Sequence, residues 1–238
     1  MRLTELANPS RFLALTDRIL PWLAVATLIA FAFGISQAYF APDDYQQGAT
    51  VKIMFIHVPA AIICEVIYAF LAGASLLALV FRHMLADCAA QAAAPLGAGF
   101  TLLALVTGSL WGRPMWGAWW VWDARLTSVL ILFLLYIAYL ALRASLDDEV
   151  KAARSAAILA MVGVVVLPII HFSVYWWNSL HQGSSMFTKG ALAPVYARPL
   201  FVMLAAYLAA FGSLWLVRIR GEVWRRRAEA AALRMARS

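Results

Sequence analysis

Charge is scarce in this chain. Only 13% of its 238 residues are Asp, Glu, Lys or Arg, against 64% hydrophobic residues. A soluble domain carries about 25% charged residues, so a soluble globular fold is excluded. Cysteine is nearly missing as well. Cys64 and Cys88 form neither Cys-x-x-Cys nor Cys-x-x-Cys-His, which removes a thioredoxin-like redox motif and a covalent c-type haem attachment site. Cys64 falls mid-run in one apolar segment and Cys88 near the opposite end of another, so no disulfide is expected between them. There is no Gly-x-x-x-x-Gly-Lys-Ser/Thr, so the chain lacks a P-loop for ATP hydrolysis. No Ser/His/Asp or Cys/His group surrounds a nucleophile either. The chain is expected not to be an enzyme.

What is present is apolar sequence in membrane-length runs. Six runs, at about residues 19–40, 55–81, 93–110, 126–142, 155–175 and 199–217, read as transmembrane helices. The expected fold is an all-α integral membrane protein, one six-span unit over residues 1–238. The first run is read as a span and not a signal peptide, since no clear cleavage signal follows it at Ala41-Pro42. Of the Lys and Arg residues, Lys52, Arg113, Arg125, Lys189 and Arg198 fall on one side. The N-terminus, the two–three turn, the four–five loop and the segment 219–238 hold nearly all the others. The positive-inside rule then puts both termini in the cytoplasm. The basic tail 219–238 is expected to touch anionic lipid headgroups or a cytoplasmic partner. Nucleic acid is not the expected partner, because no recognition motif accompanies the arginines.

Tryptophan is distributed unevenly. Trp111, Trp116, Trp119, Trp120 and Trp122 crowd the outer loop between helices three and four, and Trp176 and Trp177 open the five–six loop. An aromatic belt would decorate both interfaces, whereas Trp22, Trp215 and Trp224 alone mark the inner side. A buried indole removes about 150–250 Å² from water, or about 4–6 kcal/mol per ring as an upper bound. Such a cluster must lie on headgroups, a partner protein or a large flat ligand.

The four histidines sharpen that choice. Topology places His57, at the outer end of span two, and His181, in the five–six loop, on the Trp side. Two imidazoles flanking a Trp-lined slot suit a haem, with axial ligands to iron and aromatic contact to the porphyrin face. Arg113 and Arg125 bracket the Trp segment, and Arg125 is the preferred contact for a propionate. A lone interfacial imidazole is more often a headgroup or backbone partner, and co-location with the Trp cluster is what favours ligation at His57 and His181. His171 is expected to be a buried helix-contact residue near a distortion at Pro168. His83 is read as a solvated helix end. Asp123 is a candidate N-cap for span four, a ligand contact, or both. Glu65 lies near mid-bilayer, where an ionised carboxylate costs about 2.5–3.5 kcal/mol. It is too deep to touch an iron held at His57, and its role is packing or proton-related.

At these residues the chain resembles a known family. Trp116-Gly117-Ala118-Trp119-Trp120-Val121-Trp122-Asp123 fits the Trp-Gly-x-x-Trp-x-Trp-Asp signature of the haem-handling proteins of cytochrome c biogenesis. Ala124-Arg125-Leu126-Thr127-Ser128, Asp44-Tyr45-Gln46-Gln47-Gly48, His57-Val58-Pro59-Ala60-Ala61 and the stretch from His171 to Gly183 fit as well. The short six-span pattern is similar to the cytochrome c maturation C branch, the heme exporter C family. The resemblance implies haem b, held non-covalently and transiently at the periplasmic face by the 111–125 segment. Trp111, Trp116, Trp119, Trp120, Trp122, Asp123, Arg125, Trp176 and Trp177 would bind it, with His57 and His181 as axial ligands. It implies transfer to a membrane-anchored haem chaperone for c-type cytochrome biogenesis. It also implies an ABC-type complex with an ATPase, a second permease-like subunit and a small single-span protein in the bacterial inner membrane. Two rival readings remain: a permease subunit that moves haem across the membrane, and a structural subunit whose tryptophans touch only lipid and partners.

Overall fold

The computed structural model describes residues 8–181 and 192–236, and these form a helical bundle. Helix α1 is Pro9–Phe40, and a 3₁₀ turn, Ala49–Ile53, leads into α2, Met54–Phe81. Then follow α3, Met84–Trp116, and α4, Ala124–Ser145. Helices α5, Glu149–Gly163, and α6, Val166–Trp176, lie end to end, and α7 is Pro194–Met235. Counting α5 and α6 as one, six segments are long and apolar enough to cross a membrane. The sequence thus locates every span, and the helices outrun the apolar runs in both directions.

The added turns have local causes. Asn8 caps α1 by accepting from the Ser10 and Arg11 amides, and Pro9 occupies the first helical position, where its missing N–H costs nothing. Helix α3 ends at Gly117, whose φ of 75° is the left-handed cap that glycine adopts without strain. It starts at His83, whose ring accepts the Ala86 amide, so His83 is a cap and not merely a solvated end. The fifth span breaks at Val164–Val165. Pro168 forbids the bond to the Val164 carbonyl, which accepts the Leu167 amide at 3.1 Å instead.

Packing in the middle relies on small residues facing large ones. The Ala-rich face of α3 (Ala89, Ala90, Ala93, Ala94, Ala104) and the α2 face Ala60, Ile63, Cys64, Ile67 and Tyr68 are all buried. Such faces let membrane helices approach closely. Tyr136 of α4 reaches across at Gly97 and donates to the Cys64 carbonyl at 2.7 Å. Its ring meets that of Tyr68 edge-on at 5.0 Å. Both cysteines are buried and free. On the periphery, α1 packs on α7, joined by the hydroxyls of Thr27 and Ser213 at 3.0 Å.

The start of α1 and the later turns of α7 meet at one end of the bundle, where charge is concentrated. Asp87 of α3 pairs with Arg143 of α4 at 2.8 Å and with Arg226 of α7. Gln91 accepts from the same two arginines. Arg225 reaches Glu149 of α5 at 2.9 Å, together with Glu222 and Glu229 on its own helix. Arg220 pairs with Asp17 of α1. Residues 219–235 of the stretch expected to meet headgroups or a partner continue α7 as helix. Residues 222–229 hold it helical through i,i+3 and i,i+4 pairs, and Arg220, Arg225 and Arg226 pair with acidic residues of other helices.

The α3–α4 contact gives a clear test. A Cβ on Gly97 would lie 2.1 Å from the Tyr136 ring, whereas one on Gly99, two residues along, meets nothing within 4 Å. Gly97→Ala is expected to cost about 1–3 kcal/mol by overpacking and to lower the melting midpoint in detergent. Gly99→Ala should leave that midpoint unchanged or raise it.

Candidate functional site

The aromatic end is built around the last turns of α3. Trp111 and Trp116, expected on the outer loop, lie in that helix, so the loop proper starts at Gly117. Each is set against one imidazole. The Trp111 ring meets His57 edge-on at 5.8 Å, and its Nε1–H donates to Gln47 Oε1 at 3.0 Å. The Trp116 ring meets His181 edge-on at 4.7 Å. Gly112 makes room for Trp116, since a Cβ there would stand 2.9 Å from its ring.

His57 projects from α2 onto α3. Its Nδ1 lies 3.1 Å from the Ala104 carbonyl and 3.2 Å from the Thr107 hydroxyl oxygen. That hydroxyl donates its own hydrogen to the Leu103 carbonyl at 2.7 Å. Both neighbours of Nδ1 are thus acceptors, so Nδ1 carries the hydrogen and Nε2 keeps its lone pair. Gly108 permits this approach: a Cβ there would stand 3.0 Å from Cε1 of His57.

His181 is held by side chains. Its Nδ1–H donates to Asp123 Oδ2 at 3.0 Å, and the Ser179 hydroxyl donates to the same oxygen at 2.7 Å. The other oxygen, Oδ1, accepts the Leu126 amide at 2.8 Å and caps α4, as expected for Asp123. Burial works to raise the Asp123 carboxyl. The Leu126 amide, His181 and Ser179 outweigh it and hold the group below the usual carboxylate range. Burial pushes His181 below its ordinary value against the pull of Asp123. At pH 7 the pair is therefore a carboxylate and a neutral imidazole, again with Nε2 as the free nitrogen.

The two imidazoles lie within electrostatic range of each other and of Arg125. Arg125 Nη2 donates at 3.3–3.4 Å to the Ile170 and His171 carbonyls in the middle of α6, and its buried Nε has no hydrogen-bond partner among the described residues. Glu65 sits within electrostatic range of Arg125. Among the described residues no three His, Cys, Asp or Glu converge on a bare metal ion. The donor set is two imidazoles, which suits an iron whose other ligands arrive with a macrocycle.

The outer aromatics stand open. Trp122 is 75% exposed, Trp119 57%, Trp176 56% and Trp177 52%. Trp120 is half-buried against Trp122, with centroids 5.5 Å apart, and Phe172 stacks on Trp176 at 5.3 Å. Arg113 lies over the Trp119 ring at 5.8 Å. One expectation fails: His171 is exposed, with its ring against Phe172, and is not a buried helix contact. The break before Pro168 rotates α6 relative to α5, so the helical phase of the fifth span does not carry through to His171. Gln182 and Gly183 of the matched motif lie outside the described residues. No role for Gln47, Thr107, Gly108 or Ser179 is readable from the sequence alone. Gln47 and Ser179 stand inside the quoted motifs, whereas Gly108 and Thr107 leave no local signal in an apolar run.

The fold and site define a class: six-span membrane proteins that carry two imidazoles and an open tryptophan shelf at one end. The family model described as Heme exporter protein C matches residues 2–234, and the chain belongs to that family. Heme exporter protein C of Bradyrhizobium diazoefficiens is 58% identical over 229 residues, covering 95% of this chain and 87% of the relative. That of Escherichia coli K12 is 47% identical, covering 92% and 89%, and that of Paracoccus denitrificans is 43% identical, covering 98% of both.

The Gly108 contact is open to experiment. Gly108→Val is expected to displace the His57 ring and remove its Nδ1–H···O=C bond. Nitrogen-15 NMR of histidine-labelled protein should then lose that ring N–H signal. Gly73→Val, with nothing within 4 Å of its Cβ, should leave the signal in place.

Proposed function

We propose that this chain binds haem at the outer face of the bacterial inner membrane and presents it to a partner chaperone for c-type cytochrome biogenesis. The observation that carries the reading is the matched state of His57 and His181. Each spends Nδ1 on an acceptor and keeps Nε2 free, at the end of the bundle where the tryptophans gather. Haem is cargo here, held without covalent attachment. His57 and His181 would be the axial donors. Trp119, Trp122, Trp176 and Trp177 offer open apolar faces to the macrocycle, and Trp111, Trp116 and Trp120 back them. Asp123 holds His181. Arg125, with Nε unpartnered, is the cation for a propionate.

The name of the relatives supports an exporter assembly, and the missing P-loop assigns ATP hydrolysis to a partner ATPase. The remaining partners in this reading are a second permease subunit, a small single-span subunit and the surrounding lipid. No step here is catalytic. Both termini would face the cytoplasm, by the excess of Lys and Arg at that end, and the segment 111–125 the periplasm. A route for haem through the bundle is less favoured, because Tyr68, Tyr136, Ile63 and Cys64 fill its centre.

The test is the haem content of detergent-purified variants. His57→Ala and His181→Ala should each lower Soret absorbance per protein at least about tenfold, the lower edge of what losing even an outer-shell partner does. Both should also stop haem reaching the chaperone. Wild-type haem content in the two variants would sink the reading.

A further inference from the structure

The two imidazoles share a tautomer but not a backing group. Behind His181 stands the Asp123 carboxylate at 3.0 Å. Behind His57 stand a neutral carbonyl and a hydroxyl, at 3.1 and 3.2 Å. A carboxylate drawing on the Nδ1 proton raises the electron density at Nε2, and charge-assisted bonds are about twice as strong as neutral ones. The Asp123 contact is also well defended. The residue is 8% exposed, and its two oxygens take three donors: the Leu126 amide, His181 and Ser179. The Ser179 oxygen in turn accepts the His181 amide at 3.1 Å, which fixes the backbone that carries the ring.

We propose that Asp123 is a positioning residue that makes His181 the stronger, and His57 the weaker, of the two donors to the haem iron, so that an incoming ligand displaces His57 and leaves His181 in place. This rests on the axial-ligand reading above and gives it a direction. A carrier with two equal donors must loosen both to let go. One with unequal donors opens a single face while the other still holds the cargo in orientation.

Carbon monoxide on the reduced, haem-loaded full chain reads the asymmetry, because it takes the place of the weaker donor and its stretching frequency reports the imidazole opposite. His57→Gly and His181→Gly, loaded in the presence of free imidazole to fill the gap, supply the two reference adducts. The wild-type adduct should match that of His57→Gly, where His181 is the remaining protein ligand, and differ from that of His181→Gly. Adding Asp123→Asn should shift the stretch in the wild type and in His57→Gly and leave His181→Gly unchanged. Asparagine keeps an oxygen for the Leu126 amide and caps helices as well as aspartate, so α4 stays capped. In haem-free protein, Asp123→Asn turns an amide N–H donor toward His181, so the His181 Nδ1–H resonance should disappear while that of His57 stays in place.

A wild-type adduct matching His181→Gly overturns the proposal, as does an Asp123→Asn variant that changes neither the stretch nor the resonance. If instead both glycine variants hold wild-type haem without added imidazole, the ligand assignment itself fails and takes this inference with it.

Discussion

One buried carboxylate decides how the aromatic end is put together. Asp123 caps α4 through one oxygen and, through the other, gathers Ser179 and His181 from the far side of α6. The segments it joins are 56–58 residues apart in sequence, and Arg125 on the α6 carbonyls and Trp116 on the His181 ring support the same alignment. A carboxylate removed from water is costly unless donors replace its hydration, and here three do. The same group therefore sets where α4 begins, where the segment after α6 lies, and which nitrogen of His181 is free. Tautomer and position follow from a single contact.

The membrane explains why the charged networks gather at the two ends. Between them, hydroxyls turn back on their own helices: Thr27, Thr101, Thr107 and Ser173 donate to carbonyls three or four residues earlier. At the basic end, Asp87, Arg143 and Arg226 are mostly buried, with side chains 14%, 6% and 17% exposed. Buried ion pairs recover little beyond their desolvation cost, so what the knot supplies is register among α3, α4 and α7. Helix α3 carries Asp87 and Gln91 into that knot and Trp111 and Trp116 against the imidazoles. Helix α4 likewise has Arg143 in the knot and Arg125 at the aromatic end, and α3 is a rod about 50 Å long by its rise per residue.

The sequence made the spans legible because about 20 apolar residues are a requirement of the bilayer and not a propensity. It placed helix ends poorly, because capping and i,i+4 ion pairs extend helices past the lipid. The signals were present all the same in Asn8-Pro9 and in the Glu222, Arg225, Arg226 and Glu229 spacing. Asp123 as a cap was readable from its place before an apolar run. Its hold on His181 was not, since that contact depends on the path of the segment after α6. The exposure of His171 is of another kind: Pro168 marks a distortion in the sequence, but how the helix restarts after Val164–Val165, and so which way His171 faces, is not readable from it. Topology could assign His57 and His181 to one side, but only coordinates could say which nitrogen each leaves free.

The tryptophans and the imidazoles divide a recognition problem between them. The four open indoles offer a large apolar area, and attraction proportional to area has no preferred direction. A flat ligand on such a shelf would slide and turn. Direction comes from the helix-mounted ring of His57 and the carboxylate-held ring of His181, each backed by an indole from the same helix. The cations Arg113, over Trp119, and Arg125, beside α6, add a preference for one edge of the ligand. Grip and aim thus rest on different residues. On the axial-ligand reading proposed above, loss of His57 would leave the shelf to hold a flat ligand at the surface and the carboxylate-held ring of His181 to orient it.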